Sequence, residues 1–274
     1  LVAGGRAWAR IHSLYCPLGA GGGVYSKWWE RPSLARLALG RLDRVVAVTE
    51  NVRRSLESAG LPLDRTELVH MCVDTRRFRP MDRPRPSKYF PDEVVQPRVL
   101  FVGNASKEKG LLSLLTAVSI LKERGISVFL TAAVENQSGI EEYDVGYAQA
   151  LAFVREAKIE DRVRFVGLVD SMERLYAECD LVVIPWKTSR GPSDYPMVVL
   201  EAMAMGRCVV STRVGGCPEL LEQGQAGVLS SDFTDESLAS ALESVIRNGQ
   251  RRERVQAKAL ERSQRLSLWS SLEC

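Results

Sequence analysis

Short apolar runs alternate with amphipathic stretches through the second half of the chain. The runs are continuous enough to be buried strands, and the stretches between them repeat apolar residues at helical intervals. The predicted strands cover residues 99–102, 128–130, 163–166, 181–184, 208–211 and 227–229. The predicted helices cover residues 109–124, 141–158, 171–178, 196–205, 217–222 and 235–247. This alternation predicts an α/β fold with a doubly wound parallel sheet, covered by helices on both faces.

The first half carries the same alternation over a shorter length. The predicted strands cover residues 7–11, 45–48 and 67–69, and the predicted helices cover 34–42 and 50–59. We expect a partial Rossmann-like domain over residues 1–79, because about half to two-thirds of a typical domain's residues are present. The chain begins without Met or a signal segment, so we expect a fragment that starts inside a domain.

A change in composition separates the two halves. Five prolines and no sustained periodicity occur between residues 76 and 97. Such a stretch predicts an interdomain linker, which we place at residues 80–97. The second domain then covers residues 98–262.

Composition and charge exclude several functional classes. The chain is 45% hydrophobic and 26% charged, as in ordinary globular proteins, and its net charge of +3 is too small to indicate a nucleic-acid partner. No uncharged apolar run approaches the ~20 residues of a membrane span. Six scattered cysteines without a Cys-x-x-Cys pair, and only two histidines, argue against a zinc site. We expect a cytoplasmic protein without a metal or other cofactor.

Two adjacent tryptophans allow a peripheral contact with a membrane. Trp28 and Trp29 precede a basic amphipathic stretch at residues 34–44. The same aromatic pair is typical of a packed core, and that interpretation is favoured.

A helix after the predicted strand 181–184 carries the first candidate residue. Pro196 suits the first helical position, and Gly206 suits the end of the helix. The N-terminus of such a helix lies at the carboxyl edge of the sheet, where free backbone N–H groups favour an anion. Glu201 lies about one and a half turns in and can accept hydrogen bonds from a pair of ligand hydroxyls. A surface carboxylate on the helix face is the alternative.

The loop after the first strand of the second domain carries another candidate. Residues 103–110 lead directly into a predicted helix but lack Gly-x-Gly-x-x-Gly, so a nicotinamide cofactor is not indicated. Lys109 at the helix start can reach a pyrophosphate as a point charge beside backbone donors. The alternative is a solvated lysine, although the helix dipole disfavours a cation at this end.

Short motifs follow one another through the second half, in segments 101–103 with 109–110, 166–169, 176–185, 200–206, 214–219 and 227–229. Their order resembles the donor-binding domain of retaining GT-B glycosyltransferases, the glycogen-synthase-like and mannosyltransferase-like group. The first half resembles the end of that family's acceptor domain. The tail around Trp269 resembles the start of its final crossover helix, so we assign residues 263–274 to that helix.

The resemblance implies transfer of a sugar from a nucleoside-diphosphate sugar to an unknown acceptor. Configuration would be retained, and the protein would stabilise the departing diphosphate without a metal ion. The implied donor-binding residues are Gly103 and Asn104, Lys109 at the pyrophosphate, Glu201 at the ribose, Val169 near the base, and Ser193. His12, at a strand end, would line the acceptor side as a catalytic residue.

Two positions depart from the family pattern. Asn104 stands where relatives commonly have an arginine, so only a neutral amide is offered to the phosphates. Ser193 stands where the first glutamate of a Glu-x7-Glu pair contacts the transferred sugar, and the neighbouring Asp194 is the candidate substitute. These departures leave a second hypothesis open, a non-catalytic module that binds nucleotide-sugars.

Overall fold

The computed structural model describes residues 11–15, 37, 39–93, 97–135, 138–188 and 194–268. The chain divides into two compact units. Unit 1 comprises Leu1–Met71 with Ser189–Pro196, and unit 2 comprises Cys72–Thr188 with Met197–Cys274. The chain therefore leaves unit 2 after Thr188, contributes a short segment to unit 1 and returns.

Unit 1 contains a three-stranded parallel sheet in the order β1-β2-β3. These strands are β1 (Ile11–Leu14), β2 (Arg44–Ala47) and β3 (Thr66–Leu68), with helix α1 (Glu50–Ser58) between the last two. Thr49 caps α1, because its hydroxyl accepts a hydrogen bond from Val52 N at 3.0 Å. Of the first strand predicted in this half, residues 7–11, only Ile11 is described, and of the predicted helix 34–42 only residues 37 and 39–42 are described.

Unit 2 contains a six-stranded sheet in which every pairing is parallel. Its first elements are β4 (Arg98–Val102), α2 (Leu111–Glu123), β5 (Phe129–Ala133), α3 (Glu141–Glu156), β6 (Val163–Val166) and α4 (Met172–Glu178). Its later elements are β7 (Leu181–Ile184), α5 (Met197–Ala204), β8 (Cys208–Ser211), α6 (Cys217–Leu220), β9 (Val228–Leu229), α7 (Asp235–Ile246) and α8 (Gly249–Arg265).

The strand order confirms the predicted doubly wound sheet. It is β6-β5-β4-β7-β8-β9, so the direction of winding reverses between β4 and β7. All residues of β7 and β8 are buried, as in strands covered on both faces. In open α/β sheets ligands bind outside the carboxyl ends of the strands at such a reversal.

Two local features differ from the sequence expectations. The helix predicted from residue 109 begins later: Lys107–Lys109 form a 3-10 turn, Gly110 has a positive φ, and α2 starts at Leu111. Helix α8 was not predicted, and only its last three residues overlap the segment 263–274 assigned to the crossover helix. Its buried face consists of Val255, Ala259 and Ser263 alone, too sparse an apolar pattern to stand out.

Within unit 2, the proline-rich segment is held to α4 by a buried carboxylate. Glu178, at the end of α4, is fully buried and accepts hydrogen bonds from Lys88 N, Tyr89 N and Ser87 Oγ. Arg174 Nε adds a bond at 3.0 Å. Burial raises the pKa of Glu178, but these bonds outweigh it and hold the pKa below its usual value.

The loops on the two sides of the reversal contact each other through backbone. A Cβ on Gly110 would lie 1.9 Å from Pro185 O, and Gly110 has φ of 70°. Lys187 N donates to Glu108 O at 2.9 Å. Only glycine allows this approach, because any side chain would overlap the carbonyl.

We expect Glu178→Gln to lower the free energy of unfolding by about 2–3 kcal/mol, because an amide nitrogen would face backbone donors that now meet a carboxylate. The melting temperature of the chain should fall by roughly 4–12 °C. Since the folded pKa is depressed, the difference from wild type should be full at pH 7 and shrink as the pH falls below about 4. Glu156→Gln, on an exposed part of α3, is the control. An equal effect of both changes at pH 7 would contradict the assignment.

We expect Gly110→Ala to destabilise the chain more than Gly125→Ala does. Both glycines have φ of 70°, but a Cβ on Gly125 would meet nothing within 4 Å. The control therefore measures backbone strain of about 1–2 kcal/mol alone, and the overlap with Pro185 should add about 1–3 kcal/mol. Urea unfolding of the two variants gives the comparison. An equal loss of unfolding free energy in the two variants would show that the loops containing Gly110 and Pro185 can move apart without cost.

Candidate functional site

The predicted donor-binding residues of unit 2 follow strands at one edge of the sheet. Gly103 and Asn104 follow β4, Val169 follows β6, and α5 with Glu201 is the helix after β7. All the strands are parallel, so these positions share the carboxyl edge. These residues therefore lie at one edge of the sheet, as the sequence predicts, and their role in binding a donor stays a prediction.

The loop after β4 is held by its own polar contacts. Gly103 N donates to Ala133 O at 3.2 Å, which continues the pairing of β4 with β5. Asn104 Oδ1 accepts from Ser106 N at 3.1 Å, so the amide oxygen stabilises the turn. The amide nitrogen of Asn104 is the group that remains able to donate to an anion.

Lys109 lies against an aromatic ring at the end of β7. Its Nζ is 3.3 Å from the centroid of the Trp186 ring, a close cation–π contact. Trp186 O accepts from Thr212 Oγ1 at 2.6 Å, which ties this residue to the end of β8. Trp186 is not among the residues predicted from the sequence, although an aromatic residue directly after Pro185, at the end of a predicted strand, is a signal that the sequence offers.

Glu201 projects from α5 and is half-buried. Tyr176 Oη donates to Glu201 Oε2 at 2.7 Å. Burial raises the pKa of the Glu201 carboxyl, while the Tyr176 hydroxyl and the charge of Arg77 oppose the shift. Tyr176 begins the segment 176–185 that resembles the family pattern, but the sequence alone does not predict its contact with Glu201.

Asp194 belongs to unit 1 and is buried there. Its carboxylate accepts from Thr49 Oγ1 at 2.8 Å and from Asn51 Nδ2 at 3.2 Å, and Asp194 N donates to Tyr15 O at 2.6 Å. Burial raises the pKa of Asp194, and the bonds from Thr49 and Asn51 oppose this. The predicted contact of Asp194 with a sugar stays a prediction. Its partners Thr49 and Asn51 were not identified from the sequence.

The remaining predicted residues are less defined. His12 lies in β1 opposite Val45, and its side chain is outside the description. Ser193 falls outside the described residues. Val169 is half-buried in the loop after β6, beside Leu168, which is 84% exposed.

The residue after Val169 anchors the loop that follows β6. Asp170 accepts from Lys88 Nζ at 2.6 Å and from the Tyr89 hydroxyl. The hydrogen bonds from Lys88 and then Tyr89 lower the pKa of Asp170 to about 2. This loop is therefore attached to the proline-rich segment.

A cavity of about 930 Å³ lies beside the loop after β4, near the starts of α2 and α3. It borders Gly110 and Lys187, but none of the predicted site residues lines it. Its walls mix lysines 107 and 187 with glutamates 141 and 142, which favours no single ligand charge. In the described part of the chain no group of three metal-binding side chains occurs. No helix there has both the length and the apolar character to cross a membrane.

Several curated proteins are similar to the chain. The amylovoran biosynthesis glycosyltransferase AmsK of Erwinia amylovora is 28% identical over 69% of the chain and 44% of AmsK. The D-inositol 3-phosphate glycosyltransferase of Mycobacterium ulcerans is 30% identical over 75% of the chain and 43% of that protein. The chain thus spans less than half the length of these relatives.

Solved structures show the same fold at lower identity. Sucrose-phosphate synthase from Thermosynechococcus elongatus matches with a TM-score of 0.80 and 21% identity, over 96% of the chain and 64% of that structure. Anabaena Alr3699/HepE, in complex with UDP, matches with a TM-score of 0.76 and 20% identity, over 95% of the chain and 69% of that structure. These matches confirm the predicted GT-B architecture.

A family model described as glycosyl transferases group 1 matches residues 96–248. The matched region is more than half of the chain and contains β4 to α7, with Lys109 and Glu201. The chain therefore belongs to the group 1 glycosyltransferases.

Proposed function

We propose that the chain is part of a glycosyltransferase that moves a sugar from a nucleoside-diphosphate sugar to an acceptor of unknown class, with retention of configuration. The observation that carries the proposal is the position of a cation and a carboxylate on the two sides of the sheet reversal. Lys109 precedes the helix after β4, and Glu201 lies on the helix after β7. This arrangement suits a diphosphate and a hydroxyl-bearing ribose.

Each donor-binding residue has a chemical role in this proposal. Lys109 neutralises the pyrophosphate, and the ligand competes with the Trp186 ring for the ammonium group of Lys109. Glu201 accepts hydrogen bonds from the ribose hydroxyls, and the loop at Val169 borders the base. Gly103 lets the backbone approach the phosphates, where Asn104 offers its amide nitrogen.

The protein would act by stabilising the diphosphate as it departs and by excluding water. We assign His12, on the acceptor side, and Asp194, at the transferred sugar, as candidate catalytic residues, and Ser193 as a further donor contact. Anabaena Alr3699/HepE has been solved with UDP and with UDP-glucose, which makes UDP the first donor fragment to test. We place the enzyme in the cytoplasm, with peripheral contact to a membrane as an accompanying hypothesis. Cys179 and Cys208, both free and buried, are compatible with a reducing compartment.

A non-catalytic nucleotide-sugar-binding module is the second candidate. Asn104 favours it, because the amide oxygen is used within the loop and only a neutral donor is left for the phosphates. A transfer assay with the complete protein separates the two, since a module would bind the donor without releasing UDP.

We expect Lys109→Met to weaken UDP binding by about 10–100-fold, because a charged hydrogen bond contributes about 1.5–3 kcal/mol. Glu201→Gln should weaken binding by roughly tenfold through loss of the ribose contact. Isothermal titration calorimetry of the 274-residue chain measures both.

Matched controls for these variants are Lys107→Met, in the same 3-10 turn, and Glu156→Gln, on the exposed side of α3. Both controls should bind UDP within about twofold of wild type. If Lys107→Met and Lys109→Met lose affinity equally, the pyrophosphate site is not at Lys109.

We expect Asp194→Asn to lower kcat of the complete enzyme by tenfold or more while UDP binding stays within about twofold. The amide removes the negative charge that would meet the transferred sugar, and it leaves the donor-binding residues of unit 2 unchanged. Initial rates at saturating donor measure the effect. Turnover equal to wild type would remove Asp194 from the catalytic site.

A further inference from the structure

The side chain that supports Glu201 lies on a neighbouring helix. We propose that Tyr176 is a positioning residue, whose hydroxyl fixes the Glu201 carboxylate in the orientation that accepts the ribose hydroxyls of the donor. This inference rests on the proposed function, and it adds a residue to which no donor role has been assigned.

The first support is the rigidity of Tyr176. The residue is fully buried on α4, and its ring packs edge-on against Phe78 with centroids 6.1 Å apart. The Phe78 ring also contacts Arg77, whose Cζ lies 4.9 Å from the ring centroid. A ring enclosed in this way presents its hydroxyl in one direction only.

The second support is that the bond from Tyr176 occupies only part of the Glu201 carboxylate. Tyr176 Oη donates to Oε2 of Glu201 at 2.7 Å, and no other bond to this carboxylate occurs between described side chains. A carboxylate has about four acceptor positions, so Oε1 and the remaining lone pair of Oε2 can still serve a pair of hydroxyls. A glutamate side chain without this bond would lose rotamer entropy when the ligand binds. The bond from Tyr176 already restricts Glu201 in the folded chain, so most of that loss does not occur on binding.

The third support is the charge around the site. Arg77 and Glu173 are the charged groups that face Glu201, and Arg77 is paired with Glu173. The Arg77 guanidinium forms its ion pair with Glu173 and not with Glu201. The hydrogen bond to Glu201 comes from the neutral hydroxyl of Tyr176. The hydroxyl opposes the effect of burial on the Glu201 pKa and so favours the ionised form that accepts hydrogen bonds.

The test compares two ligands that differ only in the hydroxyls at issue, UDP and 2′,3′-dideoxyuridine 5′-diphosphate. We expect Tyr176→Phe to weaken UDP binding by about tenfold and binding of the dideoxy ligand by less than twofold. Tyr147→Phe is the matched control, because Tyr147 also packs edge-on against a phenylalanine, Phe165. It should leave both affinities unchanged.

The pH dependence provides a second readout. Without the hydroxyl the pKa of Glu201 rises further, so the acidic limb of UDP affinity should move to higher pH in Tyr176→Phe. In a Glu201→Gln background, Tyr176→Phe should add less than a twofold loss, since the ribose contact that Tyr176 supports is already weakened. The ratio of the two affinities is insensitive to partial unfolding, because unfolding weakens both ligands by the same factor.

The outcomes separate this inference from the proposed function. If wild type prefers UDP over the dideoxy ligand and Glu201→Gln removes that preference, the donor site stands. Tyr176→Phe must then also reduce the preference, and an unchanged preference or an equal loss for both ligands overturns the positioning role. If wild type binds neither UDP nor GDP, or Glu201→Gln changes nothing, the proposed donor site itself fails and the inference fails with it.

Discussion

The reversal of the sheet between β4 and β7 is the constraint on which the candidate site depends. Two adjacent parallel strands there send their following chain segments in opposite directions, which opens a crevice at the carboxyl edge. The close approach of Gly110 to Pro185 sets how near the two segments come. Lys109 and Trp186 are the residues next to this contact in the two segments. The packing of the backbone therefore fixes where the Lys109 side chain begins and which ring it meets.

Much of the fold was predictable because buried parallel strands leave a plain signal. A strand covered on both faces has no polar side, so segments such as Leu181–Ile184 appear as unbroken apolar runs between helical patterns. The position of Glu201 followed from the same logic, since the helix after a parallel strand begins at the ligand-binding edge. The chemistry of the residue type then suggested its role.

The features that were missed depend on contacts between residues far apart in sequence. Helix α8 is stabilised by packing along a narrow buried stripe, which leaves its sequence almost uniformly polar. The bonds from residues 87–89 to Glu178 join positions about ninety residues apart. Likewise, nothing local to Tyr176 indicates that its hydroxyl meets Glu201, because that contact exists only once α4 and α5 pack together.

The late segment of unit 1, Ser189–Pro196, affects the order in which the chain folds during synthesis. The carboxylate of Asp194 meets Thr49, which lies 145 residues earlier in the chain. Chains are made from the N-terminus and domains tend to fold as they emerge from the ribosome. Unit 1 therefore lacks part of its interior until residue 196 has been translated, and the hydroxyl of Thr49 and the amide of Asn51 stay hydrated until then. Its folding is completed only after the whole of β4 to β7 has been synthesised.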